Sequence, residues 1–255
     1  MPRRLGQHFL IRDSVLEQLA EAAGGEHTER IVEIGPGRGA LTRHLLARTD
    51  ELHAVEIDER LAVYLRQKFA EDPKLHVHQG DVLKTDLAQW GPAVVTGNLP
   101  YYITSPLVEK FLQLDARFQA AVFLMQLEVA ERLLAKPGSR DYGYLTVMTQ
   151  LVCEVELVVK VPPAAFRPPP KVDSAAVKLH RRSVQPENVP GLMRFVSLCF
   201  RQKRKTLRNN LRGAYGTRVD ALKEAGLRAE QIPVEGFAGM LEALRQMDKD
   251  ALPVH

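Results

Sequence analysis

Apolar residues recur along this chain in two rhythms. At Val15, Leu16, Leu19 and Ala23 they return every three or four positions, which predicts a helix capped by Asp13 and ending at Gly24-Gly25. At Arg30-Ile-Val-Glu-Ile34 they run together and stop at a glycine-rich turn, the pattern of a short buried strand. The two rhythms then alternate. Helical spacing at Leu41, Leu45 and Leu46 is followed by a second strand over Leu52–Ile57, a helix over Glu59–Phe69, a third strand over Leu75–His78 and a fourth over Ala93–Gly97. Thr104-Ser105-Pro106 starts a helix with Leu107, Phe111 and Leu112 facing inward, and Ala120–Met125 is a fifth strand. Helices over 127–135 and 144–152 flank the turn Lys136–Arg140, Glu154–Val161 alternates as a sixth strand, and Asp173–Arg181 is a seventh. Strands alternating with helices in this way predict an α/β fold built on an open, parallel sheet.

Between the sixth and seventh strands, Pro162-Pro-Ala-Ala-Phe-Arg-Pro-Pro-Pro-Lys171 is expected to be extended and stiff, since proline excludes both helix and central strand. Phe166 is expected to be exposed there, either as a plug over the core or as a wall of a binding site. Ser183–Pro190 reads as a linker, dividing the chain into a domain over 1–182 and a helical domain over 191–255 that covers it. At 100° per residue over Gly191–Arg212, Arg201, Arg204, Lys205, Arg208 and Arg212 share one face, with Leu192, Phe195, Val196, Cys199, Phe200, Leu207 and Leu211 opposite.

Composition narrows the possibilities. With 255 residues, 45% hydrophobic and 26% charged, the chain can bury a substantial core. No apolar run reaches the roughly 20 residues of a membrane span, and Met1-Pro-Arg-Arg-Leu-Gly lacks the apolar core of a signal peptide; a cytoplasmic protein is expected. Cys153 and Cys199 sit in apolar segments without metal-ligand spacing and read as buried free thiols. The net charge of +4 is modest, but Arg201–Arg212 holds six basic residues and no acid, which favours phosphate contact over a merely solvated face.

The candidate chemistry lies where strands end. Gly35, Gly37 and Gly39 form a turn that lets a nucleotide-like ligand approach the backbone, although G-x-G-x-G is not the dinucleotide fingerprint. Glu56, 21 positions after Gly35, stands where an acid accepts from ribose hydroxyls. Asp81 follows the third strand and either accepts from an adenine amine or caps a turn. Asn98-Leu99-Pro100-Tyr101 ends the fourth strand with an amide oxygen, a carbonyl turned outward by the proline and an aromatic face. Two acceptors suit the two hydrogens of one exocyclic amine, and Tyr101 suits its ring; an ordinary strand-to-helix turn is the plainer alternative. Gln7 and His8, in the loop before the first helix, either brace the structure or touch a ligand.

Four segments, Gly6-Gln-His-Phe-Leu10, Val32-Glu-Ile-Gly-Pro-Gly37, Asn98-Leu-Pro-Tyr101 and Phe166-Arg-Pro-Pro-Pro-Lys-Val-Asp-Ser-Ala175, resemble in order the motifs of the bacterial 16S rRNA adenine dimethyltransferases of the KsgA family. The resemblance spans nearly the whole chain. It implies a class I, Rossmann-like methyltransferase sheet of seven mostly parallel strands with the last antiparallel, a small helical C-terminal domain, and S-adenosylmethionine as cofactor. It also implies that His8, Leu10, Gly35, Gly37, Glu56, Asp81 and Asn98 hold that cofactor, with Asn98 facing the target amine and Tyr101 and Phe166 on the base faces. The implied substrate is a pair of adjacent adenines in the terminal hairpin loop of small-subunit rRNA, modified during 30S assembly; nothing in the sequence suggests an interface beyond a monomer. A 23S rRNA dimethyltransferase of the erythromycin-resistance type shares fold and cofactor but commonly carries Ile at the position of Leu99; an RNA-binding assembly checkpoint is the reading from another class.

Overall fold

A computed structural model describes residues 8–250. Gln7, a candidate contact, and the first two residues of the segment Gly6–Leu10 lie outside the described residues. The chain runs through β1 (Phe9–Leu10), α1 (Asp13–Gly24), β2 (Thr28–Ile34), α2 (Thr42–Leu46), β3 (Thr49–Glu56), α3 (Glu59–Lys68), β4 (Leu75–Gln79), β5 (Val94–Asn98), α4 (Thr104–Gln113), β6 (Ala120–Gln126), α5 (Leu127–Leu133) and α6 (Tyr144–Val152). It continues through β7 (Cys153–Val161), β8 (Phe166–Arg167), β9 (Ser174–Arg181), α7 (Val189–Cys199), α8 (Leu207–Tyr215) and α9 (Val234–Asp250). Seven strands form one sheet in the order β4-β3-β2-β5-β6-β9-β7. β4, β3, β2, β5 and β6 are parallel, while β9 runs antiparallel to β6 and lies between it and β7.

Register sets where the site falls. Ile34 is level with both Val55 and Gly97, and Glu56 with Gln79, so the residues that follow each strand emerge along one edge of the sheet. Parallel strands covered on both faces are continuously apolar, as in β6, where only Gln126 escapes burial. The apolar stripe of α1, Val15, Leu16, Leu19, Ala20 and Ala23, is buried in a core shared with Ile31, Leu52, Val122 and Leu124. The cap of α1 is Arg12 without a side-chain bond rather than Asp13, whose carboxylate is drawn instead to Arg43 and His44.

The proline-rich segment departs from expectation. Pro163–Ala165 forms a short 3-10 turn, and Phe166–Arg167 pairs antiparallel with β1 as a two-stranded ribbon. Phe166 is therefore buried, 3% exposed, in the core with Leu10, Val15 and Leu16. The pairing of β8 with β1 supplies the cover that the proline-rich loop alone lacks.

The chain packs as two units: the described part of Met1–Ala130 with Glu154–Arg181, and Glu131–Cys153 with the described part of Arg182–His255. The segment Glu131–Cys153, expected from sequence to belong to the domain over 1–182, thus groups with the C-terminal helices, and α7 begins inside the stretch read as a linker. In this second unit Tyr142 is fully buried and donates its hydroxyl to the Ile232 carbonyl at 2.8 Å. The long helix expected over Gly191–Arg212 is two helices, α7 and α8, separated by a turn over 200–206. Asn210, on α8, folds its amide back to the carbonyls of Cys199 (2.8 Å) and Gln202 (3.2 Å), satisfying acceptors that the break leaves open. Both cysteines are free and buried, and no helix among the described residues is long and apolar enough to cross a membrane.

Candidate active site

A cavity of about 430 Å³ opens at the carboxyl ends of β2, β3, β4 and β5, where open parallel sheets bind ligands. Gly35, Gly37, Glu56, Asp81, Asn98, Leu99, Pro100, Tyr101, His8 and Leu10 all line it. The glycine turn after β2 is held from β3. Gly37, at φ +58°, donates its N–H to Glu56 Oε2 at 3.0 Å, and the Asp58 N–H donates to Glu56 Oε1 at 2.9 Å. A side chain at Gly37 would meet both the left-handed backbone and the Phe9 ring, 3.0 Å from an added Cβ. Glu56 is 3% exposed, and burial raises its pKa against those two backbone donors. Asp81 Oδ1 accepts from the Leu83 N–H at 3.0 Å, capping the turn, and the residue also lines the cavity.

At the end of β5 the Leu99 N–H bonds to the Leu124 carbonyl at 3.0 Å, so the sheet fixes the strand end up to the proline. Asn98 Nδ2 donates to the His8 carbonyl at 2.9 Å. A carbonyl can only accept, so the amide orientation is determined and Oδ1 remains an acceptor. His8 Nδ1 donates in turn to the Pro168 carbonyl at 2.8 Å, and its ring stacks on Tyr101 at 6.0 Å between centroids. The Tyr101 hydroxyl bonds to Ser174 Oγ at 3.1 Å, which locks the ring plane.

Phe166 stands apart from the other candidates: its side chain is in the core, and it is not among the residues lining the cavity. The basic residues of the C-terminal unit do not share one helix face. Arg201, Arg204 and Lys205 are exposed on the turn after α7, whereas Arg208 and Arg212 on α8 meet Asp220 at 2.7 and 3.4 Å. The sequence window lacked an acid, but the fold brings one to it.

Glu33 went unread in the sequence. It lines the cavity from within β2, is 1% exposed and accepts from the Thr42 hydroxyl at 2.7 Å. Burial, with a smaller push from Glu56, raises its pKa to about 8, so it is largely protonated at neutral pH. An acid in the middle of the apolar run Ile31-Val-Glu-Ile34 was the available signal.

These residues fit S-adenosylmethionine. A Cβ added at Gly35 would find only the Asn98 carbonyl within 4 Å, so the turn leaves open space for a ligand against its backbone. Glu56 and Asp81 line the same cavity, and their carboxylates are of a type that accepts from hydroxyl and amine groups. Sheet order, glycine turn, acid-ended β3 and Asn-Leu-Pro-Tyr after β5 together define a class I S-adenosylmethionine-dependent methyltransferase.

Comparison with known proteins narrows the class. Residues 2–245 match the family described as ribosomal RNA adenine dimethylase. A ribosomal RNA small subunit methyltransferase A from Acidobacterium capsulatum is 40% identical over 94% of this chain and 90% of its own, and one from Chromobacterium violaceum is 42% identical over 98% and 97%. Among solved structures, a dimethyladenosine transferase from Plasmodium falciparum superposes with a TM-score of 0.84 at 28% identity, covering 96% of this chain and 99% of that one. The 23S rRNA methyltransferase ErmE gives 0.67 at 32% identity, covering 94% and 99%. The chain belongs to the ribosomal RNA adenine dimethylase family of S-adenosylmethionine-dependent methyltransferases.

Proposed function

We propose that this enzyme dimethylates N6 of two adjacent adenines in the 3′-terminal hairpin loop of 16S rRNA, acting as a cytoplasmic monomer on the 30S subunit late in its assembly. The observation that carries the reading is the fixed amide of Asn98: Nδ2 is held by the His8 carbonyl, which leaves Oδ1 as an acceptor beside Leu99 at the cavity, and in this reading Oδ1 and the Leu99 carbonyl serve the two hydrogens of one exocyclic amine. The names of the 40%-identical relatives support the small subunit as the target, as does the higher superposition on the dimethyladenosine transferase than on ErmE.

Bound S-adenosylmethionine supplies a methyl group already activated on a sulfonium. The chain's residues do the rest by position. The lone pair of adenine N6 is delocalised into the ring; acceptors at Asn98 Oδ1 and Leu99 O hold its hydrogens and draw the nitrogen toward a tetrahedral, nucleophilic geometry. Tyr101, braced by Ser174, supports the base plane. Attack needs no prior deprotonation. After each transfer the alkylated nitrogen releases one proton to solvent, so the amine keeps one hydrogen for the two acceptors after the first and none after the second, and the product loses the hold that positioned the substrate. An adenine in a hairpin loop reaches the site at less cost than one unpaired from a duplex, which takes a few kcal/mol. Glu56 and Asp81 hold ribose and adenine of the cofactor, with Gly35, Gly37, His8 and Leu10 around it. Arg201, Arg204 and Lys205, with Arg208 and Arg212 partly offset by Asp220, meet RNA phosphates.

Labelled methyl transfer to 30S and, separately, to 50S particles from cells lacking both modifications tests the target. Dimethyladenosine in the 30S sample alone is expected; label in the 50S sample alone assigns the chain to the resistance type, and RNA binding without label assigns it a checkpoint role. Replacing Asn98 by Ala is expected to lower kcat by about 100-fold or more while S-adenosylhomocysteine affinity changes only a few-fold. An N98A enzyme with near-normal kcat would remove Asn98 from the mechanism.

A further inference from the structure

The mouth of the cavity carries two arginines that the cofactor and the target base leave unused. Arg38 lies within the glycine turn, between Gly37 and Gly39, and Arg167 lies on β8; both line the cavity and both are exposed. Phe9 brings them together. Its ring lies under the Arg38 guanidinium, 5.1 Å from Cζ to the centroid, and Phe9 is the direct cross-strand partner of Arg167. Directly opposed residues of an antiparallel pair project to the same side, so Arg167 stands on the face of the ribbon that carries the Phe9 ring. Neither guanidinium makes an ion pair or hydrogen bond among the described residues. A third cation adjoins them: Lys68 Nζ donates to the Arg38 carbonyl at 2.8 Å.

We propose that Arg38 and Arg167 form a phosphate-binding pair that grips the backbone of the substrate RNA beside the adenosine entering the cavity. This rests on the reading of an rRNA adenine as substrate. A planar guanidinium fork matches the non-bridging oxygens of a phosphodiester, and two forks lining one cavity, neither in an ion pair among the described residues, suit consecutive phosphates of a single strand. The surroundings agree with a face that is covered during the reaction. Ile11 (47% exposed), Ile57 (47%) and Tyr102 (63%) also line the cavity, an unusual concentration of exposed apolar surface around a cationic rim. Tyr102, next to Tyr101, gives the neighbouring nucleotide a ring to stack on. The pair would thus act at the site of chemistry, in a different unit of the fold from Arg201, Arg204 and Lys205.

The test compares wild type, the double variant Arg38→Gln/Arg167→Gln and the double variant Arg38→Lys/Arg167→Lys, each saturated with S-adenosylhomocysteine, for binding to unmethylated 30S particles across a salt series. Each lost phosphate contact on a single strand lowers the slope of log K against log[salt] by about 0.7, so the glutamine variant is expected to lose about 1.4. Its KM for particles should rise several-fold more than its kcat falls, with unchanged melting temperature and cofactor affinity. The lysine variant should keep most of the slope. Wild type that binds and methylates 30S particles, beside a glutamine variant of unchanged slope, overturns the proposal alone. Weaker S-adenosylhomocysteine binding with unchanged RNA binding overturns it too, by assigning the pair to the cofactor. Wild type that neither binds nor methylates 30S particles overturns the substrate reading and the proposal with it.

Discussion

Two carboxylic acids at the cavity show how far burial separates residues of one chemistry. Glu56 keeps two backbone N–H donors, whereas Glu33 has a single hydroxyl and is pushed up to about 8. The unfolded chain ionises Glu33 near 4.5, while the folded chain resists ionising it until about 8, so this residue withdraws stability as pH rises between those values. Glu33→Gln should therefore flatten the fall, gaining at most about 1.4 kcal/mol per pH unit relative to wild type, as read from urea denaturation at a series of pH values. Parallel curves would show that Glu33 is not the buried titrating group. Gly35, Glu56, Asp81 and Asn98 were legible because each follows an apolar run, and polar or glycine punctuation marks the ends of strands. Glu33 was not, because an acid inside a strand carries no sign of which face it meets. The exposure expected of Phe166 fails for a related reason, and of its two alternatives the plug over the core is the one seen: what buries it is β1, at the other end of the unit's sequence.

At the scale of elements, the strands and most helices could be read from apolar spacing, since each buries a periodic face. The break between α7 and α8 could not. A continuous helix would satisfy the same spacing, and what turns the chain is tertiary, the Asn210 amide reaching Cys199 and Gln202. Asn210→Ala should cost about 1–3 kcal/mol by leaving those carbonyls unmet, measured by thermal or urea unfolding. A change below about 0.5 kcal/mol would mean that the turn stands without it. The approach of β5 to β2 depends on Gly97, where an added Cβ would lie 2.3 Å from the Ile34 carbonyl oxygen. Gly97→Ala should force the two strands apart, losing about 3 kcal/mol or more, with cofactor affinity falling alongside because the same two strands carry Gly35 and Asn98. Normal stability in that variant would refute the close packing.

For the molecule as a whole, a second buried cluster sets the opposite pH limit. On β3, His53 is 7% exposed, stacked 5.0 Å from Trp90, with Nδ1 3.0 Å from His78 Nε2 and Nε2 2.9 Å from Glu51 Oε1. His76 stacks beside it, and Arg30 holds Glu51 from β2. Burial lowers the pKa of His53 to about 4, so the folded state refuses a proton that the unfolded chain accepts below 6.5, and stability falls as pH drops from 6.5 toward 4. Burial lowers the pKa of His78 in the same direction. Glu33 withdraws stability from 4.5 up to about 8, so below 6.5 it opposes the gain from His53 and above 6.5 it acts without that opposition; His53→Gln should reduce the loss below 6.5 and leave the fall above it unchanged. The ribbon of β1 and β8 adds a constraint on timing. Synthesis delivers β2 to β6, with Gly35, Glu56, Asp81 and Asn98, well before Phe166 emerges to pair with Leu10 and Pro168 to receive His8. In a protein that modifies ribosomal RNA, the wall formed by β1 and β8 can therefore be completed only after the proline-rich stretch has itself left the ribosome.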